Sequence, residues 1–387
     1  MSIFASMKQI LQNSISVFLL LLIFSCQEND KTILPKHQPS KLAKTVVFAD
    51  GFEIQPYQPG LKKLYIFDLS HHRDTIGDFW LVDASKFKGK VPEGKKINVP
   101  VKNFACRSTT HLAFFNFLKK TSLVKGVCYA DYANNPLVKK MVEAGEIKNL
   151  TAGEEIDLEI LASLSPQIFT TYPYGNINKK RIESLRITIL PILEYLEDNP
   201  LKRAEWVKLF GALLGEEKRA TQGFNTLAND YRDIYNKVKD KVYPNEYPTV
   251  FTGSLASGKW SAPSGKSLIA KFIKDAGGKY IFEDNKQDGN IELEYEEFYA
   301  KALTTDYWGK VVYASDKITK ESLLGGDHRL DELKAVKNNA IFYCNATKTD
   351  YFGDAIMQPQ VILQDLVNIF HPQIKSDTSV YFKRFIP

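Results

Sequence analysis

Cysteine is scarce in this chain. There are four in 387 residues, at positions 26, 106, 128 and 344. That is too few for a disulfide framework, and no two stand in the Cys-x-x-Cys spacing of a zinc site. Cys106, Cys128 and Cys344 fit the role of small buried hydrophobes. Histidine is nearly as rare, at six. No histidine pair has the spacing, with a carboxylate alongside, that would hold bare zinc or manganese. A nucleophile elbow, an intact Gly-x-Gly-x-x-Gly and a loop with paired carboxylates are all missing, so enzyme readings have little to stand on. Net charge is +6, with no dense Lys/Arg block interleaved with aromatics, which argues against nucleic acid as a partner.

The apolar run "ISVFLLLLIFSC" is too short to span a membrane and has the length of a signal-peptide core, with Lys8 as a thin positive start. Ser25 before Cys26 resembles a bacterial lipobox, in which cleavage precedes a cysteine that is then acylated. The expected layout is a signal peptide over 1–25 and a polar, lipid-anchored tether over 26–45. Removing the leader takes Lys8 and lowers the net charge by one, to +5. The remainder is long enough for two ordinary domains.

One stretch tempts a nucleotide reading: Ser264-Gly265-Lys266-Ser267 before an apolar helical pattern. A Walker A loop needs a glycine five positions before the glycine of Gly-Lys-Ser. That position is Trp260; Gly258 comes two residues too early, and Pro263 removes a backbone donor. A P-loop-like nucleotide enzyme is therefore the weaker alternative.

Residues 46–96 read as a small β extension, with "TVVFADGFEIQPY", "KKLYIFDL" and "DFWLVDA" separated by turn clusters. From 97 to 215 strands alternate with helices: "INVPVKNFACRSTTHLAFFNFL", "TSLVKGVCYA", "NNPLVKKMVEAG", "DLEILASLSPQIFTT" and "KKRIESLRITILP". That alternation implies a parallel sheet covered on both faces. "NPLKRAEWVKLFGALLG" reads as one helix. After Gly215, residues 216–240 carry Ala220, Phe224, Leu227, Tyr231, Ile234 and Val238 on one stripe of a long surface helix. Residues 241–387 alternate again, ending in the amphipathic "QPQVILQDLVNIF". The predicted class is α/β: one α/β lobe, a single long helix and another α/β lobe, with an N-terminal β extension.

In that order the segments resemble the substrate-binding lipoproteins of bacterial ABC importers for iron-siderophore complexes, haem and vitamin B12. The marks are "CRSTTHLAFF", "LVKGVCYAD", "EEIDLEILASLSPQIFTT", "LFGALLGEEKRA", "GKSLIAKFIKDAGGKYIFED", "LKAVKNNAIFYCN" and "VILQDLVNIFHP", spread from about Ile97 to Phe370. The resemblance implies two Rossmann-like lobes joined by a single long helix, with a ligand held between the lobes and handed to a permease and its ATPase subunits, by a monomer lipid-anchored in the cell envelope. It implies no resident cofactor: the cargo is a chelated metal, whether ferric siderophore, corrinoid or haem. It also makes Gly265-Lys266-Ser267 the start of the first second-lobe helix. One departure stands out. Such proteins commonly carry a docking glutamate on each lobe, whereas here the matching positions are Asn178-Lys179-Lys180 and Lys266, with Glu183 nearby. A receptor that never docks on a permease is the alternative.

In such a fold the cleft is built by loops at the C-terminal ends of strands. The first-lobe candidates are Arg107, Ser108, Thr109, Tyr129, Tyr132, Tyr172 and Tyr174. The second-lobe candidates are Lys259, Trp260 and Tyr351, beside Ser254 and Phe352. Arg107 offers a forked cationic donor, and the aromatics offer flat walls for a macrocycle or aromatic chelate. Haem would take Tyr129 or Tyr172 as axial ligand. Trp260 and Tyr172 are expected to sandwich the chelate.

Overall fold

The computed structural model describes residues 45–153, 155–174, 177–376 and 379–387. The expected leader, Cys26 and most of the tether lie outside the described residues. No described helix is long and apolar enough to cross a membrane.

The β extension is a four-stranded sheet of Phe52–Gln58, Leu61–Asp68, Asp74–Val82 and Lys95–Asn98. The first three strands form an antiparallel meander, and the fourth runs parallel to the third. Its buried face carries Phe52, Ile54, Leu64, Ile66, Phe79 and Leu81, which join the main core. The approach to this sheet is pinned by two buried carboxylates. Glu205 accepts the backbone N–H groups of Val47, Phe48 and Ala49 and pairs with Lys208 at 2.7 Å. Glu197 accepts those of Asp50 and Gly51 and the Trp206 indole N–H. Buried charges persist only when paired in this way.

The first lobe is a five-stranded parallel sheet ordered Thr188–Pro191, Ile168–Thr171, Phe104–Cys106, Val124–Val127, Lys148–Asn149. Phe104–Cys106 and Ile168–Thr171 are buried on both faces, as helix-covered parallel strands are. Helices start where side chains take up free N–H groups: Asn135 caps Pro136–Glu143, and Asp157 caps Leu158–Leu164.

The second lobe orders Lys279–Tyr280, Thr249–Thr252, Tyr307–Val312 and Ile341–Asn345 in parallel, then adds Phe382–Arg384 antiparallel at the edge. Between Thr252 and the helix Leu268–Asp275 a hairpin is inserted, Ser254–Ala256 with Lys259–Pro263, and Asn290–Glu294 extends it to three strands. Ser267 accepts the Ala270 N–H at 3.2 Å, so Gly265-Lys266-Ser267 does lead into a helix start. The closing Gly277 has φ of 74°, a conformation suited to glycine.

Between the lobes runs a helical spine. "NPLKRAEWVKLFGALLG" forms two helices, Pro200–Glu205 and Val207–Leu214, where the pattern suggested one. Gly215 ends the second in the left-handed region, and Glu217–Lys241 follows as the 25-residue linking helix, about 37 Å long. Its buried stripe is Ala220, Phe224, Leu227, Ala228, Tyr231 and Val238. Close contact with the preceding helix depends on Gly211, where a Cβ would sit 2.5 Å from that of Ala220. Tyr231 donates to Asp275 of the second lobe at 2.7 Å.

Candidate functional site

In an open α/β sheet, ligands bind where the strand order reverses, at the C-terminal edge. In the first lobe that point lies between Phe104–Cys106 and Ile168–Thr171. The chain leaves these strands into Arg107 and Tyr172. The Arg107 guanidinium carbon lies 4.2 Å from the Tyr172 ring centre, and its Nη1 donates to the Tyr174 carbonyl at 3.0 Å. No carboxylate pairs with Arg107 among the described residues, so this cation is available to an anionic ligand group. Ser108 accepts the Thr110 N–H at 3.2 Å and so caps a 3-10 turn, Thr109–His111, which leads into a six-residue helix, Leu112–Phe117. Ser108 Oγ bonds Thr110 Oγ1 at 2.8 Å, and Thr110 donates on to Glu194 at 2.8 Å.

Tyr129 and Tyr132 follow the strand Val124–Val127. Both rings are exposed, with centres 6.2 Å apart. Tyr129 has φ of 55°, an uncommon conformation outside glycine, and its N–H is held by Thr151 Oγ1 at 2.7 Å.

The second-lobe edge carries a recess of about 320 Å³ at the ends of Thr249–Thr252 and Tyr307–Val312. Its wall includes Ser254, Ser261, Asn290, Tyr351 and Phe352, with no carboxylate. Phe352 and Tyr313 are exposed and stack at 6.3 Å. Burial pushes the Tyr351 phenol well above its ordinary value, so it stays a neutral hydroxyl. The two C-terminal edges meet. Asn134 of the first lobe donates its N–H to Asp350 at 3.2 Å and its Nδ2 to the Ala346 carbonyl at 2.6 Å. Asp354 accepts from Asn116 at 2.9 Å and from Asn135. A larger cavity of about 790 Å³ lies beside this latch, bordered by Phe117, Lys140, Met141 and Met357. Neither Arg107 nor Tyr172 lines it.

Two of the expected residues are not brought to this edge. Trp260 is fully buried, its ring 3.7 Å from that of Phe298 and its indole N–H on the Thr252 carbonyl at 3.0 Å. It belongs to the core, so the expected Trp260–Tyr172 sandwich does not form. Lys259 lies at the turn end of the hairpin, paired with Glu294 at 2.6 Å.

Other residues arrive unannounced. Tyr195, on the turn after Thr188–Pro191, packs edge-on to Tyr172 at 6.3 Å. Behind it Glu194 is buried with Arg203 at 3.3 Å and His111 Nε2 at 3.8 Å. His111 Nδ1 bonds Thr170 Oγ1 at 2.8 Å, and burial lowers its pKa. The β extension also reaches this edge. Tyr174 donates to Asp68, which accepts from Ser70 Oγ at 2.6 Å and lies 3.0 Å from His71 Nδ1. Burial alone would raise the Asp68 pKa. The hydrogen bonds from Ser70, Tyr174 and His71 outweigh it and hold the carboxyl at about 2. Among the described residues no cluster of three His, Cys, Asp or Glu could hold a bare metal ion.

Comparison with known proteins places this geometry. A family described as "Periplasmic binding protein" matches residues 123–347. An uncharacterized lipoprotein of Methanocaldococcus jannaschii is 27% identical over 301 residues, 74% of this chain and 69% of that protein. Among solved structures, a periplasmic binding protein from Veillonella parvula superposes with a TM-score of 0.60 at 15% identity, covering 84% of this chain and 99% of the other. A periplasmic heme-binding protein from Pseudomonas aeruginosa gives 0.57 at 14% identity, covering 73% and 97%.

Proposed function

The chain belongs to the periplasmic binding protein family, and on that premise we propose that it is the substrate-binding lipoprotein of an ABC importer that captures a metal chelate between its lobes. The observation that carries this reading is the pairing of Arg107 over Tyr172 at one sheet edge with the carboxylate-free aromatic recess at Tyr351 and Phe352 on the other. One wall offers a fixed cation, and the other offers aromatic rings with Lys310 among them and no carboxylate. That suits a bulky ligand with an anionic rim: a ferric siderophore, a corrinoid or a haem. The Pseudomonas neighbour is a heme-binding protein. The Methanocaldococcus relative is named a lipoprotein, which supports acylation at Cys26 and an envelope location. Hand-off to a permease would differ from the glutamate pattern. Lys266 pairs with Asp288 at 3.3 Å, and Glu183 lies 3.7 Å from Lys95 of the extension.

The test is the absorption spectrum of protein purified from its own host, followed by titration. A Soret band identifies haem, a corrin band a cobalamin, and a broad visible charge-transfer band a ferric siderophore. Colourless protein that binds none of the three overturns the reading.

A further inference from the structure

We propose that the turn of the β extension supplies a metal-coordinating group to the cleft: His71, through Nε2, occupies one coordination position on the bound chelate's metal. This rests on the chelate reading above and assigns a residue to it from outside both lobes.

The argument begins with protons. His71 Nδ1 has three oxygens within reach: Asp68 Oδ2 at 3.0 Å, Ser70 Oγ at 3.0 Å and the Tyr174 hydroxyl at 3.2 Å. The two hydroxyls spend their protons elsewhere. Ser70 donates to Asp68 Oδ1 at 2.6 Å, and Tyr174 donates to Asp68 Oδ2. The carboxylate accepts from Ser70 at one oxygen and from Tyr174 at the other, so it serves as the acceptor of this cluster. Nδ1 must therefore carry the hydrogen, and in the neutral ring Nε2 keeps a free lone pair. A carboxylate behind a histidine, fixing its tautomer and raising the basicity of the far nitrogen, is the arrangement found behind metal-bound imidazole. Among the described residues no hydrogen bond engages Nε2, and the His71 side chain is 63% exposed.

Position supplies the second half. The His71 ring lies 6.0 Å from that of Tyr174. The carbonyl of Tyr174 holds Arg107, and Arg107 stacks on Tyr172. The imidazole is thus joined, through Tyr174, to the cation and aromatic ring that mark the first-lobe switch point. Only a chelate with an exchangeable position fits: Nε2 donates its lone pair to the metal as a solvent ligand leaves, with no change in oxidation state.

The probes are haemin, aquocobalamin and a ferric bis-catecholate, each with a solvent-exchangeable position. At least one binds the wild-type chain with the visible shift of imidazole ligation. His71→Ala loses that shift and weakens binding about tenfold or more, with unchanged melting, and free imidazole restores the spectrum. His72→Ala behaves as wild type. A probe that binds His71→Ala with the wild-type spectrum and affinity overturns this inference and leaves the chelate reading standing. If no probe binds the wild-type chain, both fall together.

Discussion

The Arg107 guanidinium sits 4.2 Å over the Tyr172 ring while its Nη1 holds the Tyr174 carbonyl at 3.0 Å. One side chain thus ties together the loops that leave two neighbouring strands. Its planar fork is aimed before any ligand arrives. Lysine could keep the charge but neither the stack nor the fork. Arg107→Lys should lower affinity for the native chelate about tenfold, about 1.4 kcal/mol, with little change in melting. Calorimetric titration beside a melting curve checks this; wild-type affinity in the variant would remove Arg107 from the site.

Trp260 gives the opposite expectation. It is enclosed by Phe298, Phe251 and Trp308. Trp260→Ala should cost about 3–5 kcal/mol of folding stability through lost burial and the cavity left behind. Affinity of the folded fraction should hardly move. Urea unfolding and binding at low temperature separate the two effects, and a stable variant that no longer binds would restore Trp260 to the cleft.

The latch between the lobes should limit closure. Asn135 both caps its helix, through Leu137 N–H at 2.8 Å and Val138 N–H at 3.1 Å, and reaches Asp354 across the seam. Asn135→Ala should cost about 1–2 kcal/mol and speed amide exchange in Pro136–Glu143 and Asp354–Met357 together. With the latch and the linking helix intact, the radius of gyration should change by less than about 1 Å on ligand binding. A larger contraction in small-angle scattering would contradict the stiff-spine account.

Acid should undo the contact between the extension and the cleft. The Asp68 carboxyl is held at about 2 in the folded chain, against an ordinary value of 3.8. A depressed carboxyl stabilises the fold above its unfolded pKa, and that contribution is lost as pH falls from about 4 towards 2. The stability gap between wild type and Asp68→Asn should be constant above about pH 5 and narrow below about pH 4. Chemical denaturation across that range measures it; a gap that widens on acidification would mean the carboxylate is not stabilised by these partners.

The alternation of strands and helices was legible because buried parallel strands and striped helices follow directly from residue spacing. Arg107 and Tyr172 were legible for the same reason, since each immediately follows a buried strand. Trp260 also follows a strand, but it lies within the second strand of a hairpin. Its alternation was available: Lys259 and Ser261 point outward, while Trp260 and Ala262 are buried. Tyr195 has no such signal, because it stands four residues past Thr188–Pro191 on a 3-10 turn rather than at the strand's exit. Asp68, Ser70 and His71 had no local signal. Asp68 meets Tyr174 across 106 residues of sequence, and only packing of the extension onto the lobe brings them together.

The two carboxylates that receive the backbone between Val47 and Gly51 have a mechanical consequence. Glu205 and Glu197 grip five successive N–H groups, and both stand on or next to the short helices of the spine. Tension applied through the residues before Val47 would reach those helices first, spread over several bonds in shear. It would bypass Arg107, Tyr172 and the aromatic recess. Loading should therefore leave the binding walls in register, and rupture should begin by stripping this N-terminal segment from Glu205 rather than by prising the lobes apart.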